Sequence, residues 1–197
     1  MGHKESILDL AQANQGIVTS LQVSAVGIPR RCLSEAVKDG LLQRVDRGIY
    51  ALPEIWEDEM FLIQYRFGKG IYSHETALYL LGFSDRTPAA FTLTFPHGYH
   101  AASIKKLHII ARYATLDIYA LGIEEVISPF GNKLQTYNIE RSLCDMIRGS
   151  NALDIQIVNQ AMKSYAKSKT KNINKLMEYA EKLRVKSKIL TYMEILL

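Results

Sequence analysis

Apolar positions near the start of the chain recur at helical spacing, and Ile7, Leu8, Leu10 and Ala11 predict a helix that stops at Gly16. Ile17-Val18 reads as a short extended piece. Thr19 followed by Gln22 fits a capping box that opens a second short helix running through Leu21 and Ala25 to Gly27. The turn Gly27-Ile28-Pro29 places proline where a missing amide costs nothing, at the head of a third helix over 30–39. That helix turns Leu33, Ala36 and Val37 inward, with Cys32 near the edge of the apolar face. Arg30, Arg31, Ser34, Glu35 and Lys38 lie outside. After Gly40, two β-type runs, 42–45 and 49–52, flank a three-residue turn Asp46-Arg47-Gly48, and Pro53 closes the unit.

Beyond the acidic stretch 54–60, Phe61, Leu62, Tyr65 and Arg66 continue a helical pattern to Gly68 or Gly70, and Trp56 is expected to pack between the units. Ser73 is placed to cap a helix over 74–81. The period then becomes that of strands, at 90–95 and 107–111, and at 126–128 and 134–137 around Gly131-Asn132. Asn138 caps a helix over 139–148 with Leu143, Met146 and Ile147 inward. Helices over 154–167, 173–183 and 185–197 end the chain. The expected class is α+β: a winged helix-turn-helix over 1–55, then a mixed α/β domain over 60–197 with a helical end.

Three short helices and a hairpin before Pro53 follow the order of a winged helix-turn-helix. In that arrangement the third helix enters the roughly 12 Å major groove and the wing reaches neighbouring phosphates. The expected DNA-binding residues are therefore Arg30, Arg31, Ser34 and Lys38 on the reading helix and Arg44 and Arg47 on the wing. Thr19, Ser20 and Gln22, at the opening of the second helix, complete the set.

Composition narrows the picture. The chain has 197 residues, 48% hydrophobic and 22% charged, which excludes wholesale disorder. No apolar run is long enough to span a membrane, the amino terminus lacks the apolar core of a signal peptide, and the distant Cys32 and Cys144 form no disulfide framework. A cytoplasmic protein with reduced thiols is expected. The net charge of +4 is concentrated late: residues 151–197 hold nine Lys/Arg against four Asp/Glu. Lys163, Lys167, Lys169, Lys171, Lys186 and Lys188 thus either make auxiliary contacts to DNA or another polyanion or form a solvated helix face.

Three blocks resemble the AbiEi antitoxin family: Leu41-Leu42-Gln43-Arg44-Val45-Asp46-Arg47-Gly48-Ile49-Tyr50, then Tyr72-Ser73-His74-Glu75-Thr76-Ala77-Leu78 with Gly82 and Pro88 after it, then the segment 139–148. The resemblance implies the antitoxin of a type IV toxin–antitoxin pair, used in abortive infection against phage. It implies a protein that represses its own promoter at inverted repeats in double-stranded operator DNA. It also implies a nucleotidyltransferase-like toxin, opposed without a stable complex, as the functional partner. By position the reading role falls on Arg30, Arg31, Ser34, Lys38, Arg44 and Arg47; no antitoxic site transfers.

No cofactor, metal or catalytic site is expected. No Asp or Glu is followed two residues later by Lys. Gly82-Phe83-Ser84-Asp85 lacks the acidic metal pair of a nucleotidyltransferase, and His97 and His100 lack a third ligand of matching spacing. Ser73-His74 reads as a helix cap and its neighbour. Two alternatives remain open: an enzyme on nucleic acid or nucleotides delivered by the winged unit, and an adaptor whose winged unit binds protein.

Overall fold

The computed structural model describes residues 2–55, 58–100, 104, 107–148 and 155–196. Trp56 and Asp154, which carried sequence expectations, lie outside these residues. The chain forms two compact units, one of residues 1–66 with 127–133, the other of residues 67–126 with 134–197. The class is α+β, as the patterning indicated.

The first unit runs α1 (His3–Ala13), β1 (Ile17–Thr19), α2 (Ser20–Ala25), α3 (Arg31–Lys38), β2 (Gln43–Asp46), β3 (Ile49–Ala51) and α4 (Glu59–Arg66). The strands form an antiparallel sheet in the order β1-β3-β2. Ile7 and Ala11 of α1, Val18, Val23, Ile28, Leu33, Ala36 and Leu42 make one core. Each large side chain withdrawn this way contributes about 1.5–3 kcal/mol. Ile17, Ile49 and Ala51 bury a second set against Ile55, Phe61, Leu62 and Tyr65, so β1 and β3 are covered on both faces. Cys32 belongs to the first core rather than its edge, 5% exposed.

The β2–β3 hairpin also differs from its sequence pattern. Asp46 pairs with Ile49, leaving a two-residue turn, Arg47-Gly48, and the register slips between Arg44 and Asp46. A bulge at Val45 absorbs the extra residue that the pattern assigned to the turn. Gly48 sits at φ 77°, where a side chain would be strained.

The second unit contains β4 (Ile71–Tyr72), α5 (His74–Leu80), β5 (Phe91–Pro96), β6 (Ile109–Ala114), α6 (Leu116–Tyr119), β7 (Ile123–Ile127) and β8 (Lys133–Tyr137). The helices α7 (Ile139–Ile147), α8 (Ile155–Lys167), α9 (Ile173–Lys182) and α10 (Lys186–Leu196) follow. Its sheet has the order β6-β5-β4-β8-β7, with β5 parallel to β6 and β4 parallel to β8. β6 runs three residues past its expected end at Ala111, because Arg112 interrupts the apolar run but not the ladder. The two-residue β4 and the four-residue α6 are too short to leave a periodic signal.

At the centre lies α7, buried on every side. Its charged residues do not face water, although only Leu143, Met146 and Ile147 were expected inward. Arg141 is 1% exposed, donates from Nε to Asp145 at 2.8 Å and from Nη1 to the Leu121 carbonyl, and lies over the Tyr137 ring. Glu140 accepts from the Tyr165 hydroxyl at 3.1 Å. Full partnering makes burial of these charges tolerable. Around them Leu143, Met146, Tyr165, Leu176 and Ile189 form the largest apolar cluster described.

Candidate nucleic-acid interface

The exposed face of α3 is set by its apolar face. With Cys32, Leu33 and Ala36 inward, helical geometry leaves Arg31, Ser34, Glu35 and Lys38 exposed in one stripe. These are positions i, i+3, i+4 and i+7. The stripe carries two cations, a hydroxyl and one carboxylate, which can donate to guanine and accept from cytosine in a major groove.

Arg30 has a different place. It is the residue before the first turn of α3, and its Nε donates to the Ser24 hydroxyl at 2.9 Å, joining the end of α2 to the start of α3. At the other end of the helix, Lys4 of α1 and Asp39 form an exposed ion pair. Hydrogen bonding to that carboxylate holds the Lys4 ammonium above its ordinary value.

The opening of α2 is a true capping box. Gln22 donates its amide to Thr19 Oγ1 at 3.2 Å and returns its side-chain oxygen to the Thr19 amide at 2.8 Å. Thr19 is 4% exposed and its hydroxyl also donates to Gln22 Oε1, so the phosphate contact expected of Thr19 is replaced by a structural one. Gln22 spends its oxygen in the same box. Ser20 is half-buried, and its amide donates to the Gly48 carbonyl.

Arg44 and Arg47 are exposed on the β2–β3 hairpin. Arg44 Nε leans toward the Asp46 carbonyl at 3.4 Å, and the Asp46 carboxylate accepts from the Arg47 amide and lies 3.9 Å from Arg66. Asp46 thus shapes the turn while both wing guanidinium groups stay in water.

The C-terminal lysines divide. Lys171 donates to the Ala166 carbonyl, Lys188 to the Ile147 carbonyl, and Lys186 pairs with Glu181. Lys163 and Lys167 stand one turn apart on α8 beside Asn159, Gln160 and Ser164, along a shallow polar groove. Lys169 is exposed in the turn that follows.

Sequence reasoning passed over one contact. The Ser73 hydroxyl does not cap α5; it accepts from Thr94 Oγ1 at 2.9 Å and lies 3.1 Å from His74 Nδ1. Ser73 is fully buried. His74 takes φ 54°, a conformation no sequence pattern signals.

The comparison with protein families bears on the first unit. Residues 5–53 match the AbiEi antitoxin transcriptional regulators. The match covers α1 through the wing, the same elements that carry the exposed arginines. The AbiEi-like blocks at 72–78 and 139–148 lie outside it. No curated protein matches the chain. Among solved structures, the crystal structure of the RV2827C protein from Mycobacterium tuberculosis is similar, with a TM-score of 0.57 and 13% identity. The likeness covers 98% of this chain and 78% of that one. It is a likeness of fold. Among the described residues, no helix is long and apolar enough to cross a membrane.

Proposed function

We propose that the chain is a DNA-binding autorepressor and type IV antitoxin, with the winged unit holding inverted repeats in its own promoter. The observation that carries this reading is the shared exposure of Arg31, Ser34 and Lys38 on one face of α3, with Arg44 and Arg47 on the wing of the same unit. The AbiEi match over those residues supports it. Arg31, Ser34 and Lys38 read base edges, Arg44 and Arg47 neutralise phosphates, and Arg30 with the Thr19–Gln22 box holds the helices at their angle. Ser20, whose amide is bonded to the Gly48 carbonyl, sits beside the wing where a phosphate would approach.

The second unit opposes a nucleotidyltransferase-like toxin without a lasting complex. Lys163, Lys167 and Lys169 add non-specific attraction for polyanions. In this reading the chain works in the cytoplasm as a binding protein rather than an enzyme.

The test is a footprint on the DNA immediately upstream of the protein's own gene, with Arg31→Ala beside wild type. Protection of an inverted repeat, with discrimination relaxed at one symmetric base pair in the variant, is the expected result. Absence of any protected repeat contradicts the reading. Coexpression with the neighbouring reading frame then tests the antitoxic half, and growth arrest unrelieved by this protein contradicts it.

A further inference from the structure

Three adjacent strands of the second unit put polar groups in a row. Thr94 of β5 and Arg112 of β6 are register partners in a parallel pair, so both project from the same face of the sheet. Thr94 reaches Ser73, the residue after β4, through its hydroxyl, which extends the row to His74.

Thr94 donates to Ser73 Oγ at 2.9 Å, and His74 Nδ1 lies 3.1 Å from the same oxygen. The other ring nitrogen, Nε2, has no hydrogen-bond partner among the described residues and is the one left to meet a ligand. Burial, reinforced by the charges of Arg112, Arg141 and Arg148 and opposed by Asp145, holds the His74 pKa below its ordinary value. The ring is therefore a neutral donor at pH 7. Of those charges, Arg141 and Asp145 neutralise one another at 2.8 Å. Arg112 and Arg148 remain.

Arg112 Nε is buried and has no hydrogen-bond partner among the described residues. A buried unpaired donor is costly, the more so when charged, and calls for an acceptor. His74 meanwhile holds a left-handed backbone, φ 54°, of the strained kind that persists where the surrounding structure enforces it. An unpaired cationic donor, a neutral imidazole and the exposed Arg148 act on one region, where the Asp145 carboxylate is already paired with Arg141. They suit a compact dianion with several acceptor oxygens.

We propose that His74, Arg112 and Arg148, positioned by Ser73 and Thr94, form an oxyanion site on the second unit that takes a phosphate dianion, either inorganic phosphate or the terminal phosphoryl group of a nucleotide. The site is independent of the winged unit and of operator binding.

The experiment is a histidine-selective NMR titration of the full chain with inorganic phosphate, with AMP, and with sodium chloride at matched ionic strength. One ring resonance, assigned by its loss in His74→Gln, is expected to move saturably with phosphate and not with chloride. Arg112→Gln should weaken that binding at least about tenfold, the loss expected for one charge-assisted hydrogen bond. Arg148→Gln, at an exposed position, gives the same comparison should Arg112→Gln fail to fold. AMP binding about as well as phosphate identifies the bare anion as ligand; AMP binding much more tightly identifies a nucleotide. A resonance that moves equally in chloride overturns the site. So does unchanged affinity in a folded Arg112→Gln protein.

Discussion

The Ser20 amide donates to the Gly48 carbonyl at 2.8 Å, tying the first residue of α2 to the turn of the wing. A side chain built on Gly48 would place its Cβ 2.8 Å from Ser20 Oγ, at a φ of 77°. Gly48→Ala should therefore cost about 1–3 kcal/mol in urea unfolding, as a left-handed non-glycine residue does. The same change should lower DNA affinity by moving Arg47. A variant as stable as wild type would show that the turn relaxes freely.

Thr19→Ala removes the cap of α2 and should cost about 1 kcal/mol. Thr19→Ser should recover most of it. Because the hydroxyl is buried in the capping box, DNA affinity measured well below the melting temperature should match wild type. A selective loss of affinity in a stable Thr19→Ala protein would return the residue to the phosphate-contacting set.

Arg141→Ala leaves Asp145 buried without its cation and the Leu121 carbonyl without its donor. A loss of about 3–5 kcal/mol is expected in denaturant unfolding of the second unit. Winged-unit binding to DNA should survive at temperatures where the variant stays folded. A loss under about 1 kcal/mol would mean that water reaches the pair.

The helices and hairpin of the first unit were legible because their signals are local. The Thr19–Gln22 box, Pro29 and Gly48 each specify a backbone shape within a few residues, and the apolar face of α3 repeats at helical spacing. Long-range partners were not legible. A charged residue on a helix is ordinarily read as solvated, and nothing near Arg141 in sequence announces Ile118, Leu121 and Tyr137 as its enclosure. The same limit hid the row Ser73–Thr94–Arg112, which exists only once three strands pair. Arg30 read as part of the recognition stripe because helix ends are uncertain by a residue; one step outside α3, it turns to Ser24 instead.

Burial pushes the Cys144 thiol up to about 12 from an ordinary 9. The unfolded chain ionises this group first as pH rises, so its contribution is intact below pH 9 and is lost between pH 9 and about 12. Cys144→Ser or Cys144→Ala should flatten that part of the stability curve. Iodoacetamide at about pH 9 should leave Cys144 unmodified in folded protein and label it in urea, as mass spectrometry would show.

The most direct measurement is fluorescence anisotropy of the purified full chain on the duplex upstream of its own gene, repeated across a salt series for wild type and Arg44→Ala/Arg47→Ala. Wild type should bind with a steep salt dependence. The double variant should bind more weakly, with a slope flatter by about one for each phosphate that is no longer neutralised. Identical affinity and slope in the two proteins would contradict DNA binding through this surface.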